Sequence, residues 1–348
     1  MKYERTEYFT DFVLYYDKAK ILQNVANLGG EPYEGLVDDD LMEQVHIYDC
    51  VERQHAGFQN MLQDLWCGQW APKFFKLSEE QKDRNRSYND LQDRWSIREW
   101  LWVFLFHRIT GSGASFEDDH GYRNTALPEI AKLDTCEQMA DFIAGYDKAM
   151  FTSIGNQIPM FPKRELWPSL NKSGREYETP GKLWICECMT QLIDDTIEWM
   201  ESHILRVGIR DVTDFMCEWN RERGMKRFHF QFTAFAADLA DYFPFRVDPN
   251  SKMYYGKNAI EALELLGTRN KGTKKAEFYD LVMDDLVAST QAAPRDLEDV
   301  LCDYIRYIEN YVPDNKNKTY AHLNLDEVWN NSTVRHDKGR QKWLTTTT

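Results

Sequence analysis

The sequence lacks any apolar run approaching the roughly 18–20 residues of a membrane-spanning helix, which argues against a helical membrane protein, and no membrane partner is expected. Its opening residues, MKYERTEYFTDF, contain no apolar core of a secretory signal, so a cytoplasmic protein is expected. Zinc-ligand spacing is also missing. The seven cysteines (Cys50, Cys67, Cys136, Cys186, Cys188, Cys217 and Cys302) are odd in number, and no second pair or His pair follows the one close pair, Cys186-Glu-Cys188. They read as buried, reduced thiols of a cytosolic protein. Strand signals are few, with one short isolated candidate, FRV at 245–247, and there is no repeat, low-complexity tract or long linker.

Apolar and aromatic residues are abundant: 43% and 14% of 348 residues, with 11 Trp, suffice for a substantial core in one large domain or two ordinary ones. The net charge of −15 opposes nonspecific polyanion binding. Its distribution qualifies that, because basic residues gather at 163–175, 221–227, 268–275 and 335–342, while acids dominate 37–52 and 276–303. A basic face on an acidic protein and ordinary solvated loops are both compatible with this pattern.

Helical periodicity dominates. Helices are expected over 5–28, 39–67, 136–151, 182–206, 211–222, 230–243, 257–266, 274–290 and 295–311, the last with Leu297, Val300, Leu301, Tyr304, Ile305 and Ile308 on one stripe. Capping boxes at Ser78–Gln81, Ser96–Glu99 and Thr135–Gln138 mark three starts. The expected class is all-α, with 1–348 as a single two-lobed helical domain without a clean internal boundary and a polar tail over 313–348. Trp66, Trp70, Trp95, Trp100 and Trp102 read mainly as core, with base stacking open to one or two.

Four segments can carry chemistry. The first is GSGASFEDDHGYRNT (111–125), after the apolar run SIREWLWVFLFHR. Gly111, Ser112 and Gly113 allow a tight turn that aims backbone N–H groups at an anion, and Arg108 and Arg123 flank it for bidentate phosphate contacts. Glu117, Asp118, Asp119 and His120 offer a general base or ligands for a divalent cation, or else simply a solvated, helix-capping loop. The second is 220–267, where a basic turn around Gly224 leads into an apolar helix, a stop at Pro244, and the turn Asp248-Pro249-Asn250-Ser251; Asp248 is either a functional acid or a turn and cap residue. The third is Gly256, Lys257 and Asn258 at a helix start, an anion site or an exposed lysine. The fourth is GNQIPMFPKR (155–164), whose Asn156 and Gln157 can read a base edge or sit in a plain loop.

The order of turn, helix and Asp turn in 220–267 resembles the helix-hairpin-helix DNA glycosylase superfamily, although the apolar-Gly-x-Gly of its hairpin is absent here. FLFHRITGSGASF, FTAFAADLADYF (232–243) and GKNA (256–259) together resemble the α-glutamyl/putrescinyl-thymine pyrophosphorylase group, phage enzymes of thymidine hypermodification. The resemblance covers roughly 95–270, and Gly-Lys-Asn-Ala departs from the Gly-Pro-Gly-Ala of many members.

The resemblance implies a DNA glycosylase-like, two-lobed helical fold and a transferase working in the cytoplasm of a phage-infected bacterium. Its partners would be DNA carrying a pyrophosphorylated thymine methyl and a small amine, either an amino acid or a polyamine. The amine displaces pyrophosphate from a flipped base. Asp248 is then the expected base or amine-orienting acid, with Asp119 and His120 as second choice. Arg108, Gly111, Ser112, Gly113, Arg123, Lys257 and Asn258 would hold pyrophosphate, and Asn156 and Gln157 would read the base. A divalent ion is optional. Two other readings stand beside this one: a base-removing glycosylase that shares Asp248, and a helical binding or scaffold protein consistent with the net charge of −15.

Overall fold

The computed structural model describes residues 2–27, 36–37, 39, 42, 62, 65–66, 91–110, 117–118, 121–122, 126–146, 161–227 and 229–311. Among these the chain is all-α with small strand pairs. In order it forms β1 (Tyr3–Arg5), α1 (Glu7–Asn27), α2 (Leu91–Arg94), α3 (Ile97–Ile109), β2 (Glu117–Asp118), β3 (Gly121–Tyr122), α4 (Leu127–Ile130) and α5 (Cys136–Gly145). A 3-10 turn (Arg164–Leu166) leads to α6 (Trp167–Leu170), and α7 (Pro180–Trp184) runs through a π turn (Ile185–Met189) into α8 (Thr190–Glu201). Then come β4 (Val207–Gly208), α9 (Ile209–Glu222), α10 (His229–Tyr242), β5 (Val247–Asp248), α11 (Lys257–Leu266), β6 (Gly267–Arg269), α12 (Lys275–Thr290) and α13 (Pro294–Tyr311).

Two compact units divide the chain, one made of Met1–Gly57 with Lys252–Thr348 and the other of Phe58–Ser251. The segment 95–270 that carries the family resemblance therefore crosses from one unit into the other. The expected helix over 39–67 and the Ser78 capping box lie outside the described residues, apart from isolated positions.

The unit built from both chain ends packs α1 against α11, α12 and α13. Phe12, Leu22, Leu263, Leu286, Leu301 and Tyr304 are fully buried in its core, each contributing about 1.5–3 kcal/mol relative to exposure. The antiparallel pairing of β1 with β6 (Tyr3↔Arg269 to Arg5↔Gly267) closes it. Leu297, Val300, Leu301, Tyr304 and Ile308 of the predicted α13 stripe are all buried.

The inner unit is organised around α3, which is apolar almost all round: every residue from Glu99 to His107 is buried. Both predicted capping boxes that fall on described residues are formed. Arg98 N–H donates to Ser96 Oγ (3.2 Å) and Ser96 N–H to Glu99 (3.1 Å), while Gln138 N–H donates to Thr135 Oγ1 (3.2 Å) and Thr135 N–H to Gln138 (3.3 Å). Arg98 ties three helices together by donating from α3 to Asp194 of α8 (2.5 Å) and Glu137 of α5 (2.6 Å). Its guanidinium holds the Glu137 carboxyl below the usual range, against a smaller opposing effect of burial.

Three expectations change. The helix expected over 182–206 starts at Pro180, because Thr179 caps it (Lys182 N–H to Thr179 Oγ1, 3.2 Å). It ends at Glu201, where Ser202 Oγ and His203 Nδ1 both donate to the Trp199 carbonyl, at 2.7 and 2.8 Å. The strand expected over 245–247 is instead Val247–Asp248, and it is not isolated: it pairs in parallel with β4 (Val207↔Val247, Gly208↔Asp248). Helix α5 ends at Gly145 rather than 151, with residues 147–151 outside the described set.

Candidate functional site

Arg108 closes the last turn of α3, and Asp238 sits in the apolar helix α10, 130 residues away. Arg108 Nε and Nη2 each donate to a separate Asp238 oxygen at 2.5 Å, a bidentate pair. The side chains are 7% and 0% exposed. Two physical conditions lead to this arrangement. Asp238 lies in FTAFAADLADYF, a helix without a polar face, so its charge must find a partner inside. Arg108 stands at a helix C-terminus, where the exposed carbonyls favour a cation. The two segments FLFHR and FTAFAADLADYF, distant in sequence, are thus joined in the interior. The sequence reading assigned Arg108 to pyrophosphate; the geometry gives its Nε and Nη2 to Asp238 instead. Asp238 itself was missed, and its signal was an acid embedded in an otherwise apolar stretch.

Helices α9 and α10 pack against each other through the turn Arg223–Arg227. Gly224 adopts φ +78°, with Gly224 N–H donating to Arg221 C=O and Met225 N–H to Asn220 C=O, both at 3.0 Å. This is a Schellman helix end, completed by burial of Met225. The turn amides of Gly224 and Met225 are thereby engaged within the protein and are not available to a phosphate. Arg221 and Arg227 both engage Glu218 and hold its carboxyl down at about 2. Arg223 lies 3.6 Å over the Trp219 ring, and Lys226 is exposed. A Cβ on Gly224 would stand 3.2 Å from Leu166. The basic turn therefore packs on the 3-10 turn that carries Lys163 and Arg164, both exposed. Two of the basic stretches, 163–175 and 221–227, meet.

Asp248 is the second residue of β5. Its Oδ1 accepts the Asn250 N–H (3.2 Å) and lies 3.6 Å from Arg206, while its carbonyl accepts Ser251 Oγ (2.7 Å). These contacts make it an Asx-turn residue with a partly exposed side chain. Ser251 Oγ in turn accepts the Ile209 N–H at 2.8 Å, so the turn also braces the start of α9. Beside β4 lies an open groove of about 900 Å³, lined in part by Trp199, His203, Leu205, Asp211, Phe215 and Glu218. Trp199 stacks on Phe215 at 4.8 Å.

Lys257 and Asn258 begin α11 in the other unit. Lys257 is 87% exposed and lies 3.6 Å from Glu261. The Gly256 N–H at this helix start donates to Glu298 (2.9 Å), a buried carboxylate of α13. The anion for which this helix start was read as a site is supplied by the protein itself.

Gly111, Ser112, Gly113, Asp119, His120, Arg123, Asn156 and Gln157 lie outside the described residues. Glu117 and Asp118 pair as a short strand with Gly121 and Tyr122. Among the described residues no group of three His, Cys, Asp or Glu can hold a metal ion, and no helix is long and apolar enough to cross a membrane. Burial pushes the thiols of Cys186 and Cys188 up to about 12, well away from nucleophilic use at neutral pH. No family model matches the sequence, and no match to it is found among curated proteins or solved structures.

Proposed function

We propose that this chain is a DNA-modifying transferase of thymidine hypermodification, built on a helix-hairpin-helix, DNA glycosylase-like fold. The observation that carries the reading is the buried Arg108–Asp238 pair. It joins the two sequence segments on which the family resemblance mainly rests, as expected if both belong to one active core. The hairpin of α9 and α10 and the meeting of its basic turn with Lys163 and Arg164 support a nucleic-acid substrate despite the net charge of −15.

In the proposed reaction an amine nitrogen attacks the methylene carbon on thymine C5. A C–N bond forms, the C–O bond to pyrophosphate breaks, and the amine proton passes to a carboxylate or imidazole. Asp119 and His120 are the preferred proton acceptors, because Asp248 is engaged by its own turn and by Arg206. Arg123 and the Gly111–Gly113 backbone would stabilise the departing pyrophosphate. Arg108 positions α3 against α10, and Lys257 has no part in the chemistry.

Nucleoside mass spectrometry tests the reading. Duplex DNA carrying pyrophosphorylated hydroxymethyluracil, incubated with the protein and a pool of amino acids and polyamines, is expected to yield an amine-bearing thymidine. The absence of any such mass shift with every amine rejects it.

A further inference from the structure

The two basic stretches that meet in the inner unit, 163–175 and 221–227, hold eight cations against two acids on a chain of net charge −15. Four of the cations, Arg175, Arg221, Arg223 and Arg227, are engaged by Asp141, Glu218 and Asp195. The other four are not committed in this way. Lys172 and Lys226 are exposed and form no ion pair among the described residues. Lys163 lies 3.9 Å from Glu165 with both groups in solvent, and the Arg164 guanidinium lies 5.7 Å from the centre of the Trp167 ring. Leu166, between Arg164 and Trp167, packs so closely on the hairpin turn that a Cβ on Gly224 would stand 3.2 Å from it. The stretches meet a second time around Cys188. Burial and, less strongly, Glu187 push its thiol up, and Lys172 and Arg223 both oppose them. Two aromatic rings accompany these cations. Trp167 is half-buried and fixed by its indole N–H, which donates to the Pro162 carbonyl (3.2 Å). Phe230, in the first turn of α10, is 56% exposed.

We infer that this surface binds an unpaired nucleic-acid strand, with phosphates on Lys163, Arg164, Lys172 and Lys226 and bases stacked on Phe230 and Trp167. The inference rests on the reading of a nucleic-acid substrate and adds the form of the strand. Cations spread over two turns suit an anion that repeats along a chain better than a single phosphate. None of the four has to give up a buried acid, and the solvent-exposed Lys163–Glu165 contact is worth little. The aromatic rings select among polyanions. An exposed ring gains a partner in the face of an unpaired base, whereas in a duplex those faces are covered by neighbouring bases. A lipid surface fits less well. It requires an apolar face rather than the single exposed ring of Phe230, and anionic lipid repels a chain of net charge −15.

The test is fluorescence anisotropy of the full chain with a labelled mixed-sequence DNA oligonucleotide, offered as a single strand and as its duplex. Wild type is expected to bind the single strand at least about ten-fold more tightly than the duplex. Phe230→Ala, which alters an exposed ring, should keep the melting temperature, weaken the single strand by about ten-fold and leave duplex affinity unchanged. Lys163→Gln/Lys226→Gln should also weaken the single strand, and should lower the slope of log affinity against log salt by about 1.4 for the two lost contacts. Equal affinity for both strand forms overturns the inference, as does a Phe230→Ala variant that holds the single strand like wild type. Binding to phosphatidylserine vesicles with none to the single strand overturns it too. Single-stranded RNA bound where no DNA strand is bound upholds the surface and rejects DNA as its ligand. Amine transfer on duplex DNA with no single-strand preference overturns the surface and leaves the proposed transferase intact. Single-strand binding that depends on Phe230, without amine transfer on any DNA, upholds the surface and rejects the transferase.

Discussion

Arg108 and Lys257 carry the same charge, and each stands at a helix end that the sequence marks for an anion. Arg108 is 7% exposed and clasped by Asp238, whereas Lys257 is 87% exposed and, among the described residues, lies 3.6 Å from its own helix neighbour Glu261. The difference lies in what surrounds each helix end. α3 is buried on nearly every side, so a cation at its end requires an internal anion. α11 receives its anion from Glu298, and Lys257 is left to solvent. A helix N-terminus in a sequence is therefore an anion site only if no acid of the same fold already fills it.

Four measurements sharpen or break this contrast. The largest effect is expected at Asp238. Asp238→Ala leaves the Arg108 guanidinium buried without the Asp238 carboxylate and should lower unfolding stability by about 3–5 kcal/mol in urea titration. Replacing both groups, Arg108→Met with Asp238→Leu, should recover most of it; a single variant costing under about 1 kcal/mol would show that no buried charge is involved. Glu298→Ala strands the Gly256 N–H and should cost about 1–2 kcal/mol, with Glu298→Gln much milder because an acceptor oxygen remains. Equal losses for Ala and Gln would deny the capping role.

Glu218 gives a smaller, pH-dependent effect. Its folded carboxyl lies at about 2, below its ordinary range, so its contribution is present above the unfolded value and is lost as pH falls towards about 2. Carboxyl NMR should follow this titration, and Arg221→Ala or Arg227→Ala should move it back up; an unmoved midpoint contradicts the pairing. Lys257→Ala should change stability by no more than about 0.5 kcal/mol. It should also leave any thermal stabilisation by pyrophosphate as it was, and loss of that stabilisation would restore Lys257 as a ligand.

The helices were legible where local chemistry fixes them. Ser96 with Glu99, and Thr135 with Gln138, set two starts to the residue, and α9 to α13 fall within two residues of their periodic patterns. What escaped depends on distant partners or on competing local bonds. The apolar period of 182–206 continues past Glu201, but it does not register Ser202 and His203 taking the Trp199 carbonyl. The two-residue β4–β5 pair is too short to leave an alternation. The π turn at Ile185–Met189 has no composition of its own, although it orients Glu187 to accept Lys172 N–H (3.1 Å) and Tyr177 OH (2.5 Å). Of the site, Arg108 was legible as a cation at a critical helix end. Its pairing with Asp238 was not legible, because that acid is 130 residues away.

The unit closed by β1 and β6 also bears on biosynthesis. Its first helix, α1, leaves the ribosome with Phe12, Tyr15, Ala19 and Leu22 uncovered, since their partners in α11, α12 and α13 are translated only after the whole inner unit. The inner unit is contiguous and can fold as it emerges, while α1 waits. A nascent chain stalled near Ser251 would thus carry the complete inner unit together with a helix whose Phe12, Tyr15, Ala19 and Leu22 face is still uncovered.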